Sequence, residues 1–304
     1  MVKLSVIITT YNSEKTIQRL LNSIQNQEGN GDFFTLELII VDDCSTDNTL
    51  SILKENGIHY HTTSVNSKGP NKGRNIGLAL ATGDYFCITD HDDEWKLDRI
   101  KKTLPYFNKF SIITSGYTVI DSVRKTEAHT ISDYKTETGY VHFLKNETFK
   151  NLLSRNGVGQ NVYLGSIFLE KSLKEICFEE VFGLVDFDWI LNIFHNSESI
   201  EIKDSLYYRH IKEDNLSLNG HFRICDFHYS LITIEKYFDE YPVLVKKSYK
   251  KIHENIARFY YLQGQMSKAR FYFLKSNFSK KTFVLFVTSF IGSDYIRKKY
   301  RILG

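Results

Sequence analysis

Cysteine is scarce and scattered: Cys44, Cys87, Cys177 and Cys225 lie far apart and form no CxxC pair. That excludes a disulfide-stapled scaffold, gives no zinc spacing, and suits a reducing, cytosolic setting. Long apolar runs are missing as well. The longest late one, FVLFVTSFIG (283–292), has about ten residues, against the roughly 20 that span a bilayer. No charged leader with an apolar stretch and a small-residue cleavage site precedes LSVIITT (4–10), so no secretory signal is expected. The glycine-rich GPNKGRNIG (69–77) is neither GxGxxG nor GxxxxGK[ST], which leaves nicotinamide binding and a P-loop unsupported. Its glycines are expected to let a loop approach a nucleotide. No internal repeat, low-complexity tract or nucleic-acid-binding motif stands out, and no nucleic-acid partner is expected.

What is present is a globular composition, 304 residues with 42% hydrophobic and 25% charged, enough for one large core or two smaller ones. Charge is unevenly placed. From Tyr241 to Gly304 there are 14 Lys plus Arg against Glu254 and Asp294, a net of +12; since the whole chain is +3, the other 240 residues carry 3 − 12 = −9. Halves of opposite sign suggest two domains with different partners, expected at 1–220 and 221–304.

The first half alternates strand and helix signals. LSVIITT and LELIIVDD (36–43) are β-branched runs of the buried parallel type, and Ile17, Leu20, Leu21 and Ile24 recur at i, i+3, i+4, i+7 between them. Ser45 to Asn48 offers N-cap chemistry, IHYHT (58–62) is a short strand, and GRNIGLALATG (73–83) is a helix with a glycine stop. DYFCIT (84–89) is the next strand. Further strands are expected in SIITSGYTVID (111–121) and VYLGSIFLE (162–170), a helix in LVDFDWILNIF (184–194), and a strand pair in IEIKD and LYYRH (200–210). Helical spacing dominates beyond about Gly220, including a helical hairpin over 257–276. The fold class is α/β, a mixed sheet flanked by helices, followed by a mainly helical C-terminal region.

At the end of the fourth strand signal stands TDHDDEW (89–95), with three aspartates and a glutamate in five positions. In open α/β sheets ligands bind at that end of the strands. Asp90 and Asp92 are two residues apart and share a side of an extended chain, while Asp93 points elsewhere. Converging carboxylates call for a cation, and Mg²⁺ or Mn²⁺ commonly sits between such groups and substrate phosphates. The alternative is a solvated acidic turn with Asp93 or Glu94 at the start of a helix in WKLDRIKKTL. Asp42 and Asp43 end the second strand, and Thr9, Tyr11 and Asn12 end the first, so one rim presents an aromatic ring, hydrogen-bonding carboxylates and a candidate metal site. A nucleotide needs those three things.

Taken in order, SVIITTYNSEKTIQRLLNSIQNQ, ELIIVDDCSTDNT and GPNKGRNIGLALATGDYFCITDHDDEW resemble the family 2 glycosyltransferases of the GT-A fold, a Rossmann-like sheet architecture of inverting, nucleotide-sugar-dependent enzymes. The likeness is close over about 3–105 and looser over 160–218. It implies that Thr9 and Tyr11 flank the base, Asp43 bonds the uracil, Arg74 reaches the base or diphosphate, Asp90 lies near the ribose or sugar, and Asp92 holds the metal. His91 fills the variable position of DxD. In similar enzymes a Glu-Asp-x-Asp segment supplies the catalytic base, which places it at Asp186 here, with Val185 where the glutamate would be. The alternative for Asp186 and Asp188 is that they cap or flank a helix. YYRHIKEDNLS similarly implies Arg209 and His210 near the diphosphate on a closing loop.

The resemblance implies a UDP-sugar donor, a saccharide or lipid-linked saccharide acceptor, and Mn²⁺ or Mg²⁺. A non-catalytic sugar-nucleotide binder or a nucleotidyltransferase would share the sheet. For the basic C-terminal region the expectation is an anionic membrane surface, with FVLFVTSFIG and RKKYR (297–301) in the interface, or a protein contact.

Overall fold

The structure, a computed structural model, describes residues 1–155, 157–212 and 219–292. The chain divides into two compact units, residues 1–151 with 157–215 and residues 152–156 with 216–304.

The first unit is built on β1 (Val2–Thr10), buried continuously from Leu4 to Thr10 as a central parallel strand must be. β1 pairs in parallel with β2 (Phe34–Asp42) on one side and β4 (Tyr85–Asp90) on the other, and β2 pairs with β3 (Tyr60–Thr62). Helices α1 (Ile17–Gln25), α2 (Thr49–Glu55) and α3 (Asn71–Leu80) make the crossovers. α1 buries Ile17, Leu20, Leu21 and Ile24, the stripe its spacing dictates.

Beyond β4 come β5 (Glu94–Trp95), α4 (Arg99–Thr103), β6 (Ile112–Asp121), β7 (Thr126–Thr130), β8 (Tyr140–Phe143), α5 (Glu147–Ser154), β9 (Ile167–Glu170), α6 (Phe187–Phe194) and β10 (Ser199–Ile211). The sheet order is β3-β2-β1-β4-β9-β6-β10-β5, with β7 on β6 and β8 on β10. β9 runs antiparallel to both β4 and β6, so the sheet is mixed.

Several expectations change. The anticipated strand pair over 200–210 is one 13-residue strand, β10, with register irregularities around Ser205 where the polar Lys203 and Asp204 interrupt its apolar pattern. The strand expected over 162–170 forms only at Ile167–Glu170, after a 3₁₀ turn at Leu164–Ser166. WKLDRIKKTL does not begin a helix at Asp93 or Glu94: Glu94 and Trp95 pair with β10, and the helix starts at Arg99. Gly83 is not a helix stop. α3 leaves through Ala81 in an extended conformation, and Gly83 lies so close to Ser5 that an added Cβ would stand 2.7 Å from the Ser5 backbone nitrogen.

The second unit contains α7 (Gly220–Glu235), α8 (Pro242–Leu262), α9 (Met266–Phe273) and α10 (Lys280–Thr288). α8 and α9 form a hairpin whose turn holds Gly264 at φ +74°, a conformation that glycine enters without steric cost. Tyr261 and Phe273 are buried between these helices. Among the described residues no helix is long and apolar enough to cross a membrane. RKKYR lies outside the described residues.

At the opposite end of β1 from its acidic rim, Glu37 ties three segments together. It accepts from Lys3 Nζ at 2.6 Å, Ser5 Oγ at 2.5 Å, and both Thr82 N and Oγ1 at 2.9 and 2.5 Å. Burial alone would raise its carboxyl, but these donors outweigh it and bring it down from 4.5 to about 2. A depressed acid stabilises the fold above its unfolded value near 4.5 and loses that contribution as pH falls toward 2. Glu37→Gln should therefore lower unfolding free energy by about 1–2 kcal/mol at pH 7, solvent screening allowed for. The difference from the parent should vanish near pH 2 in denaturant titrations.

Candidate active site

Sheet register puts the acidic rim together. Thr9 pairs with Asp90 on one side and Val41 on the other, and Thr10 pairs with Asp42. The loops that follow β1, β2 and β4 therefore open on one edge of the sheet.

Tyr11 and Thr9, both at the end of β1, differ in exposure. Tyr11 is 49% exposed, a ring face left open rather than packed into the core. Thr9 is buried, and α3 lies directly over it: a Cβ on Gly73 would come within 2.8 Å of the Thr9 methyl. Asn12 takes a left-handed φ of 48° and staples the rim, its Oδ1 accepting from Thr46 N while its own N donates to Ser45 Oγ. Asp42 secures the same turn through Ser45 and Thr10. Asp43 is buried and accepts from Thr63 Oγ1 at 2.6 Å and from Ser67 N and Oγ at 2.9 and 2.8 Å, which fixes the loop leading into α3.

That loop is where the glycines act, and they act on the protein itself. Gly69 abuts the backbone of Gly183, whose carbonyl oxygen would be 2.2 Å from an added Cβ; Gly77 presses on Ile7 in the same way. The expectation that these glycines let a loop approach a nucleotide is replaced by close packing of α3 on β1 and on the segment before α6. Asn71 completes the seam: its N donates to Gly183 O at 3.2 Å, and its Nδ2 to Val185 O at 3.0 Å.

A hydrogen-bonded chain then crosses to the acidic cluster. Asn71 Oδ1 accepts from Arg74 Nη1 at 3.1 Å, and Arg74 Nη2 donates to Asp90 Oδ1 at 3.0 Å. Arg74 is buried with its guanidinium 5.2 Å from the Phe178 ring. In this structure it holds Asp90 and the segment preceding Asp186 in one frame.

Asp186 is the N-cap residue of α6 and is half-buried, whereas Asp188 is buried in the first turn, near Asn192. Of the two, Asp186 is the accessible carboxylate. Val185 is buried, so the position where similar enzymes carry glutamate contributes only its carbonyl here. Trp189 anchors the helix by stacking on Phe178 at 4.3 Å and donating to Ile176 O at 2.6 Å.

The residue that sequence reasoning passed over is Asp93. It turns inward, away from its neighbours, and accepts from Tyr163 at 2.7 Å, Tyr207 at 2.8 Å and the His210 backbone N at 2.9 Å. Burial first, then the charges of Asp92 and Asp90, push its carboxyl up to about 8, against the bonds from Tyr163 and His210. Burial and then Asp93 raise both phenols well above their usual value, so they stay donors. Behind them Arg99 is fully buried among Trp95, Phe168 and Tyr207, 4.1 to 4.9 Å from the rings, and donates to Gly165 O. A third acid in the run was the available signal; its tyrosine partners carried none.

Arg209 and His210 sit on β10, not on a loop. Arg209 lies 4.8 Å from the Tyr163 ring, and His210 Nε2 is 3.3 Å from Glu94. Arg19 reaches the Asp92 carbonyl and lies 3.7 Å from Glu94. The rest of the expected closing segment, 213–218, lies outside the described residues.

Asp92 fits a hard divalent cation. Burial raises its carboxyl, with His91 opposing and Asp90 adding to the effect, so negative charge is crowded where a counter-charge would relieve it. Asp90 is partly neutralised by Arg74, 3.0 Å away. Among the described residues no cluster of three His, Cys, Asp or Glu could hold a metal alone. One or two protein carboxylates, completed by water and phosphate oxygens, is the pattern Mg²⁺ and Mn²⁺ use.

Comparison with known proteins bears on the family and the fold. A segment of 113 residues is 39% identical to the poly(ribitol-phosphate) β-N-acetylglucosaminyltransferase TarS of Staphylococcus aureus, covering 36% of this chain and 19% of that protein. The dTDP-rhamnosyl transferase RfbG of Shigella flexneri is 27% identical over 244 residues, 71% of this chain and 75% of RfbG. The crystal structure of S. aureus TarS 1–349 superposes with a TM-score of 0.60 at 20% identity over 98% of this chain and 93% of that one, and it has been solved with UDP-GlcNAc. The mannosyltransferase PcManGT of Pyrobaculum calidifontis, in complex with GDP-Man and Mn²⁺, superposes at 0.58 with 16% identity over 97% and 82% of the two chains. These likenesses show a GT-A-type fold. The family model for glycosyl transferase family 2 matches residues 5–176, more than half of the chain, and the protein belongs to that family.

Proposed function

We propose that this glycosyltransferase is inverting and metal-dependent, moving a hexosyl or N-acetylhexosaminyl group from a UDP-sugar to a saccharide or lipid-linked saccharide hydroxyl in surface polysaccharide or glycolipid synthesis. The observation that carries this reading is the crowding of Asp90 and Asp92 at the rim, with the Asp186 segment tied to Asp90 through Arg74 and Asn71. The UDP-GlcNAc complex of TarS favours a uridine donor. A cytoplasmic location follows from such a donor and agrees with four cysteines of which no two are joined.

The ring of Tyr11 would stack on the base, Asp43 would turn its remaining lone pairs to the uracil, and Arg209 and His210 would face the diphosphate. Asp90 would orient the ribose or sugar. Mn²⁺ or Mg²⁺ held by Asp92 and Asp90 would offset charge on the departing diphosphate. Asp186 takes the proton of the acceptor hydroxyl as its oxygen bonds the anomeric carbon. The bond from that carbon to the diphosphate oxygen breaks with both electrons, and the configuration inverts.

A panel of UDP-, dTDP- and GDP-sugars with Mn²⁺ and a glycan acceptor tests this. Release of UDP with a β product from an α donor is expected. Pyrophosphate release would indicate a nucleotidyltransferase, and binding without turnover a sugar-nucleotide binder.

A further inference from the structure

α10 is turned inside out. Its buried residues are Thr282 and Leu285, continued by Ser289 just beyond its end, at i, i+3 and i+7. Its outward side carries Phe283, Val284 and Val287, followed by Phe290 and Ile291, all between 44% and 74% exposed. A helix oriented only by its own core would face the other way.

The outward row does not stand alone. Phe271, Leu274 and Phe278, on and just after α9, are also at least half exposed. Phe278 meets Phe286 edge-on at 5.6 Å and Phe286 meets Phe290 at 5.6 Å, which makes one continuous apolar face. Cations are set into it: Arg270 lies 4.7 Å from the Phe290 ring and Lys275 4.4 Å from Phe271, with Lys268, Lys280 and Lys281 exposed beside them. Residues 241–292 contain a single acid, Glu254, and it is buried against Lys251 and Arg258.

We propose that this face of α9 and α10 is an interfacial binding surface for a bilayer containing acidic phospholipid, the rings entering the acyl boundary and the lysines meeting the headgroups. A soluble polyanion would use the lysines but has no call on an exposed row of Phe and Val. A second copy docked by two-fold symmetry would set lysine against lysine. The inference deepens the proposed function by naming where a lipid-linked acceptor would be met, but it uses none of the residues around Asp92.

Sedimentation of the full chain with phosphatidylglycerol-containing vesicles tests it, with phosphatidylcholine vesicles as the comparison. Binding to the acidic vesicles only, weakened by salt, is expected. The triple variant Phe283→Ser, Val287→Ser, Phe290→Ser and the double variant Lys280→Glu, Lys281→Glu should each weaken it at least about tenfold. These side chains are exposed, so the circular dichroism spectrum should be unchanged. Three results overturn the proposal: no binding to acidic vesicles, equal binding by the triple variant, or a parent dimer by light scattering that the triple variant loses while vesicle binding persists. No donor or acceptor is present in this assay, so a failed transfer experiment leaves it intact.

Discussion

Asp92→Asn is expected to lower sugar transfer on the order of 10³-fold and to abolish the strengthening of nucleotide binding by Mn²⁺. The same change should raise the melting temperature of the metal-free protein by about 2–4 °C. Both follow from one physical situation. Asp92 is a half-buried carboxyl raised by desolvation and by Asp90, with the buried Asp93 next to it pushed up to about 8. Negative charge crowded there costs folding free energy, and a neutral amide of the same shape relieves it. Retained transfer, or a lowered melting temperature, would mean that the carboxylate is structural.

Asp186→Asn is expected to lower kcat by about 10²–10⁴-fold while the KM for donor stays within about threefold. This substitution is chosen because Asp186 occupies the N-cap position of α6 without a side-chain capping hydrogen bond, and asparagine keeps its shape while removing the basic carboxylate. A loss of turnover with unchanged melting temperature therefore separates proton transfer from a structural role. Unchanged kcat would move the base elsewhere. Asp188, buried near Asn192, is the less suitable of the pair.

The parallel core of the first unit was legible because burial on both faces writes itself as β-branched runs, as in LSVIITT, and because α1 shows its apolar stripe. The acidic run was legible as a candidate site because repulsion among Asp90, Asp92 and Asp93 needs a cause. The division of labour within it was not, since it depends on partners 70 and 114 residues away, Tyr163 and Tyr207, that nothing local announces. β7 escaped because an almost fully exposed edge strand, TEAHT, needs no alternation. β10 was divided in two because its bulge is polar. The glycines of GPNKGRNIG were legible as close approaches, but what approaches them is Gly183, Thr9 and Ile7. An inverted helix such as α10 is invisible to periodicity, which reports an apolar side without saying which way it faces.

Calorimetric titration of UDP into the purified chain, with and without Mn²⁺, tests the central claim most directly. UDP should bind at least about tenfold more tightly with the ion present, and Asp92→Asn should erase the difference. Failure of UDP and Mn²⁺ to bind, separately or together, would contradict it.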